Sequence, residues 1–134
     1  MIERKWIRGR CRNLEGPVLV SATETVFRSL WSMPHVIWHG RNLLRGWHRI
    51  DGAVGVSIKV DVLKRTTYTV SAWRSEQDYY AWVRSPYHVS LMKAYRKKTE
   101  RVISEKWQVD KFVLEESWNE ARTRMLKSPA HTSG

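Results

Sequence analysis

The stretch VGVSIKVDVLKRTTYTVSAW, residues 54–73, decides the fold class. Val54, Val56, Ile58, Val60 and Val62 alternate with Gly55, Ser57, Lys59 and Asp61, the period of two that sends successive side chains to opposite faces of a strand. Lys64-Arg65 turns the chain. Tyr68, Val70 and Ala72 then alternate with Thr67, Thr69, Ser71 and Trp73, so the two runs read as an antiparallel hairpin. Valine and tryptophan fall on both sides of these strands, so both faces of the sheet need a cover.

Upstream of the hairpin, Val18 to Trp31 is rich in Val, Thr and Phe and reads as extended chain. Ser32-Met33-Pro34 opens a helix, with serine near the cap and proline in the first turn. Val36, Ile37, Leu43, Leu44 and Trp47 follow at helical spacing with Gly40 on the same stripe, and Asp51-Gly52 ends the segment. Downstream, Ser75 and Asp78 have the spacing of a capping box. Tyr79, Tyr80, Trp82 and Val83 form one apolar cluster before Ser85-Pro86, where proline breaks the helix, and Tyr87, Leu91, Met92 and Tyr95 continue the stripe. Trp107, Val109, Lys111 and Val113 alternate with Gln108, Asp110, Phe112 and Leu114 as a last strand, and a short helix is expected from Trp118 to Lys127.

Strand, helix, strand, strand, helix, strand is the split β-α-β plan, an α+β fold. At 134 residues and 42% hydrophobic the chain is one domain long and able to form a core. We place that domain at 17–127, after a basic arm at 1–16 that ends on Gly16-Pro17, and before a frayed tail at 128–134. Helices cover one sheet face. A second subunit is the simplest cover for the other, and a homodimer is expected.

Net charge is +11. It is spread along the chain, with its densest groups at Arg4, Lys5, Arg8, Arg10 and Arg12 and at Lys93, Arg96, Lys97, Lys98 and Arg101. These read as a tail and a solvated helix face rather than a nucleic-acid footprint, because the interleaved aromatic and basic motif of an RNA-recognition sheet is missing. One cysteine, Cys11, excludes an internal disulfide and fits a reducing cytoplasm. No run of about twenty apolar residues is present to span a membrane, and the first residues lack the apolar core of a secretory signal. Phosphate loops, nucleotide fingerprints, nucleophile elbows and paired-carboxylate motifs are all absent, which removes kinase, hydrolase and dehydrogenase readings.

What remains is aromatic. Eight tryptophans line either the core or a pocket. Trp31, Trp38, Trp73, Tyr80, Trp82, Met92 and Trp107 are the candidate walls of a site for a flat apolar molecule. His88, just after the helix break, is the candidate base, and Tyr87 a hydroxyl able to orient a phenol or enolate. The bland reading of His88 is a half-buried imidazole bonded to a backbone carbonyl. His35 and His39 have the i, i+4 spacing of a metal pair but no third ligand in pattern, so they read as surface residues and no metal site is assigned.

Two segments carry a family resemblance. Tyr68-Thr69-Val70-Ser71-Ala72-Trp73-Arg74-Ser75-Glu76 runs into Ala81-Trp82-Val83-Arg84-Ser85-Pro86-Tyr87-His88-Val89-Ser90-Leu91-Met92. A strand ending in this way, leading into a helix that holds a histidine, is similar to the dimeric α+β barrel superfamily, which includes antibiotic-biosynthesis monooxygenases and haem-degrading enzymes. With the aromatic strand Lys106-Trp107-Gln108-Val109-Asp110-Lys111-Phe112 added, it resembles small bacterial proteins of that superfamily and spheroidene monooxygenase. The resemblance implies a ferredoxin-like domain forming a dimeric α/β barrel. It also implies monooxygenase-like chemistry on an apolar aromatic or polyene metabolite, with His88 matching the family's histidine. Some members need no cofactor, which is the expectation here; in a haem-binding version His88 would be the iron ligand. A cofactor-free cyclase or isomerase using the same pocket is the alternative, and a non-catalytic nucleic-acid-binding module is a third.

Overall fold

A computed structural model of the chain describes residues 1–11 and 15–128. Five strands, β1 (Ile2–Arg8), β2 (Glu15–Phe27), β3 (Ala53–Asp61), β4 (Thr66–Trp73) and β5 (Thr99–Lys111), form one sheet in the order β1-β3-β4-β2-β5. Every neighbouring pair is antiparallel. Helix α1 (Met33–Arg45) links β2 to β3, and α2 (Glu76–Val83) with α3 (Pro86–Tyr95) links β4 to β5. Helix α4 (Leu114–Leu126) follows β5. Strands β2 to β5 therefore have the ferredoxin-like arrangement expected from the element order.

The hairpin at 54–73 is present, with Val56 opposite Ser71 and Ile58 opposite Thr69. The local signals around the second crossover also appear as structure. Ser75 Oγ accepts the Asp78 N–H at 3.1 Å and donates to the Asp78 carboxylate at 2.9 Å. Asp78 is also held by the Arg74 guanidinium at 2.8 Å, and that hydrogen bond keeps its carboxyl below the usual range. Ser85 caps α3 in an extended conformation, accepting the His88 N–H, with Pro86 in the first turn.

The expected dimeric barrel is overturned. The sheet is open, with β1 and β5 at its edges, and its second face is covered by the chain itself. That face carries Val20, Ala22, Val70, Ala72, Ile103 and Trp107, and α4 lies on it through the buried residues Ala121 and Met125. Trp118 Nε1 donates to Ser57 Oγ at 3.2 Å while the Lys59 ammonium sits 4.2 Å from the Trp118 ring centroid. The helix on this apolar face begins four residues earlier than the sequence suggested, with Glu115 and Glu116 in its first turn.

Three further differences follow from long-range pairing. The segment read as a basic arm holds β1, which adds to the free edge of β3 with Ile2 opposite Val60 and Arg8 opposite Gly55. Its residues lack a periodic pattern because a bulge interrupts the register between Arg4 and Ile7. The first core strand stops at Phe27 instead of running to Trp31, since Ser29 Oγ accepts the Trp31 N–H and starts a 3-10 turn at Leu30–Ser32. The basic run after α3 is partly strand, because β5 begins at Thr99 and pairs along β2. The expected tail from Pro129 onward lies outside the described residues.

Trp6 shows why β1 belongs to the core. Its ring stacks on Phe112, centroids 4.9 Å apart, and lies over Gly55, where an added Cβ would come within 2.0 Å of the indole. Glycine at 55 is thus a space requirement. Trp6→Ala should cost about 3 kcal/mol of unfolding free energy in a urea titration, the low end for removing a large aromatic side chain. Gly55→Ala should cost roughly 1–3 kcal/mol by overpacking, and much less in the Trp6→Ala background. Equal costs in the two backgrounds would show that ring and glycine are not in contact.

Candidate functional site

The helical face of the sheet is organised by an indole. Trp73, at the end of β4, is fully buried and donates from Nε1 to Ser71 Oγ at 2.9 Å. Around it stand Trp47 at 5.5 Å, Tyr79 at 5.7 Å and Trp82 at 6.4 Å between ring centroids. Trp47 comes from the 3-10 turn after α1, and Tyr79 and Trp82 from α2. Leu19, Ala53 and Val56 form the floor. Trp47 Nε1 is buried without a hydrogen-bond partner.

Next to this cluster lies an open groove of about 200 Å³, lined by Asn42, Leu43 and Gly46 of the first helix and its end, Ile50, and Trp82 and Tyr87 across the gap. The helix break at Ser85-Pro86 builds its far wall. It lets Tyr87 face Trp82 at 6.0 Å while His88 turns against the same indole at 5.3 Å. His88 Nδ1 lies 3.0 Å from the Val83 carbonyl oxygen. A carbonyl only accepts, so Nδ1 carries the proton and, in the neutral ring, Nε2 keeps the free lone pair. Burial lowers the His88 pKa below its ordinary value, and the Val83 bond opposes this in part. His88 is therefore a neutral imidazole near pH 7, with a defined tautomer and the lone pair on Nε2.

Farther along the two helices, Tyr95 packs edge-on against Phe27 at 5.5 Å and His39 at 6.0 Å. Its hydroxyl is buried without a partner, and burial, followed by Tyr87, pushes its pKa up to about 12. It stays a protonated phenol at physiological pH.

Of the side chains singled out from sequence, Trp73, Trp82, Tyr87 and His88 come together, with Trp82 and Tyr87 lining the groove and Trp73 and His88 packed against Trp82 outside that lining. The others do not. Tyr80 faces away with its hydroxyl 2.6 Å from the Lys106 ammonium, which also lies over the Tyr80 ring. Met92, Trp38 and Trp31 are exposed, and none of them lines the groove. Trp107 is on the opposite sheet face, under the Arg124 guanidinium. The rings of His35 and His39 lie 4.5 Å apart at a tilt of 52° on α1, and among the described residues no group of three or more His, Cys, Asp or Glu could hold a metal ion. Cys11 packs against the core and donates its N–H to Ala53, so it is docked. The sequence reading missed Asn42, Gly46 and Ile50 in the groove; Leu43 and Trp47 were visible only as members of a helical stripe.

A haem would need an axial ligand and room for its macrocycle. His88 offers a suitable nitrogen, but the space between helices and sheet is filled by Trp47, Trp73 and Trp82. A groove of about 200 Å³ is smaller than the pockets that enclose even drug-sized molecules, roughly 300–1,000 Å³. The residues do not fit a haem macrocycle.

No family model matches the chain, and no curated protein matches it. Solved structures do. A candidate monooxygenase from Lactobacillus acidophilus NCFM is similar with a TM-score of 0.59 at 6% identity, over 75% of this chain and 46% of its own. A candidate antibiotic biosynthesis monooxygenase from Deinococcus radiodurans gives 0.61 at 10% identity, over 72% of this chain and 95% of that one. A haem-degrading enzyme from Listeria monocytogenes gives 0.58 at 14% identity, over 73% and 63%. The chain thus spans under half of the first and under two thirds of the third. At these identities the likeness is one of fold, the ferredoxin-like fold of monooxygenase-related proteins. Among the described residues no helix is long and apolar enough to cross a membrane.

The lowered His88 pKa has a consequence for stability. Below the unfolded value the unfolded chain binds a proton that the folded chain resists, so stability falls as pH drops from about 6.5 toward the folded pKa. His88→Gln should flatten this acid limb relative to the parent protein, measured by urea midpoints between pH 7.5 and 5. Parallel curves for both proteins would place the imidazole in solvent.

Proposed function

We propose that the chain is a small monooxygenase-like enzyme that takes an electron-rich, apolar aromatic substrate in the groove between α1 and the α2–α3 pair. The observation that carries this reading is His88: a neutral imidazole with Nδ1 tied to Val83, at a helix break, against an indole that lines the groove. The fold likeness to monooxygenase-related proteins supports the same reaction class.

The chemistry that suits such a site needs no redox group from the protein. A phenol with an activated ring CH₂ loses a proton to His88 Nε2, and the resulting anion reacts with O₂ to form a carbon–oxygen bond. The imidazolium returns its proton to the peroxide, the second ring C–H proton is then lost as the O–O bond breaks, and that proton joins the departing hydroxide. CH₂ becomes C=O, one oxygen atom stays on the substrate and the other leaves as water, so electrons balance without a reductant. Trp82 and Leu43 would hold the flat ring, Tyr87 would orient the phenol oxygen, and the buried indoles below would keep water out. The small open groove favours a substrate that is part-covered, with one edge in solvent.

Oxygen uptake with hydroxylated anthracenes and naphthalenes, alongside quenching of tryptophan fluorescence, tests the proposal. His88→Gln should keep ring binding and lower turnover by roughly 10²–10⁴-fold, the usual loss for a general base. Trp82→Ala should weaken binding itself. Oxygen uptake at the parent rate by His88→Gln would remove the base and leave the imidazole with its bond to Val83 as a structural group.

A further inference from the structure

Three connections converge at one end of the sheet: residues 28–32 between β2 and α1, 62–65 between β3 and β4, and 96–98 between α3 and β5. They are tied together by hydrogen bonds to backbone carbonyls. Phe27 N–H donates to the Arg65 carbonyl at 2.7 Å, the Arg65 guanidinium to the Arg28 carbonyl at 2.8 Å, and Arg28 N–H to the Lys98 carbonyl at 2.9 Å. From this tip project three apolar side chains, Leu30 at 49% exposure, Trp31 at 91% and Leu63 at 86%. Around them are Arg28, Lys64, Arg65, Arg96, Lys97 and Lys98. The three connections contain no carboxylate; the nearest in sequence, Asp61, accepts the Lys64 N–H at 3.2 Å at the base of its turn.

We propose that this tip docks on the surface of an anionic phospholipid bilayer, with Trp31 and Leu63 entering the headgroup–acyl boundary and the surrounding cations meeting headgroup phosphates. Indoles favour that boundary, aliphatic side chains gain by leaving water there, and each lysine or arginine near an anionic leaflet adds attraction. The charge pattern argues against a second copy, because a two-fold contact would set these cations against themselves. The protruding leucines argue against nucleic acid, since an aliphatic side chain offers neither a stacking face nor a base-edge hydrogen bond. The inference stands on the tip alone and is independent of the chemistry assigned to the groove.

The test is co-sedimentation of the full chain with large vesicles of phosphatidylcholine alone or mixed with phosphatidylglycerol. Binding is expected to the mixed vesicles only, weakening as salt rises, with tryptophan emission shifting to the blue. The double variant Trp31→Ala/Leu63→Ser, which keeps every charge, should lower the partition coefficient roughly tenfold or more. Lys64→Glu/Lys97→Glu/Lys98→Glu should abolish binding. Both variants change exposed side chains, and unaltered circular dichroism and melting would show that they fold. The proposal is overturned by absence of binding to either vesicle, by equal binding of the Trp31/Leu63 variant, or by retention of an oligonucleotide under conditions where vesicles are not bound.

Discussion

Much of this molecule hangs on one indole. Trp73 ends β4 opposite Leu19 on one neighbour and Ala53 on the other, so its position is set by two strand registers. Its ring then becomes the surface on which Trp47, Tyr79 and Trp82 settle. Trp47 anchors the end of the first helix, and Trp82 anchors the second. The groove is the gap left between two helices that are both referenced to the same ring. Rotation of Trp73 would misplace both walls at once, and its Nε1 bond to Ser71 opposes that rotation.

The break at Ser85-Pro86 turns this scaffold into a site. An uninterrupted helix would spread Tyr87 and His88 around one cylinder that continues α2. Restarting at Pro86 brings both rings against Trp82 and puts the Val83 carbonyl within reach of the imidazole. A carbonyl near the end of α2 thereby fixes the tautomer of a side chain in α3. The same bond satisfies the bland account of His88, and it leaves the Nε2 lone pair outside that bond. Both properties come from one geometric fact.

The two sheet faces and the loop end divide the remaining work. The face under α4 is filled by small and branched side chains with Trp6, Trp107 and Trp118 at its margins, and it gives stability. The helical face gathers the other buried indoles and the groove. One group of positive charges, Arg28, Lys64, Arg65, Arg96, Lys97 and Lys98, stands where three connections meet beside exposed Leu30, Trp31 and Leu63. Cations from residues 28, 64–65 and 96–98, far apart in sequence, come side by side through those connections.

By itself the sequence determined what is local. The alternation from Val56 to Trp73, the Ser75 cap and the Pro86 break each depend on neighbours a few residues away and are present as read, whereas Val54, read on the side of Val56, packs on the α4 face because the register shifts between Ala53 and Gly55. The grouping of Trp82, Tyr87 and His88 was legible for the same reason, since they share one crossover. Tertiary structure alone decided the rest. Ile2–Arg8 is a strand because β3, fifty residues on, offers an open edge; α4 covers the second sheet face because Ala121 and Met125 find the apolar side chains of β2 and β4. Trp107 and Trp73 look equivalent in sequence, each an indole in an alternating strand, yet they lie on opposite faces. Parity within a strand says only that neighbours point apart. Which side is which is set by pairing register across the sheet, and that is a property of contacts between distant residues.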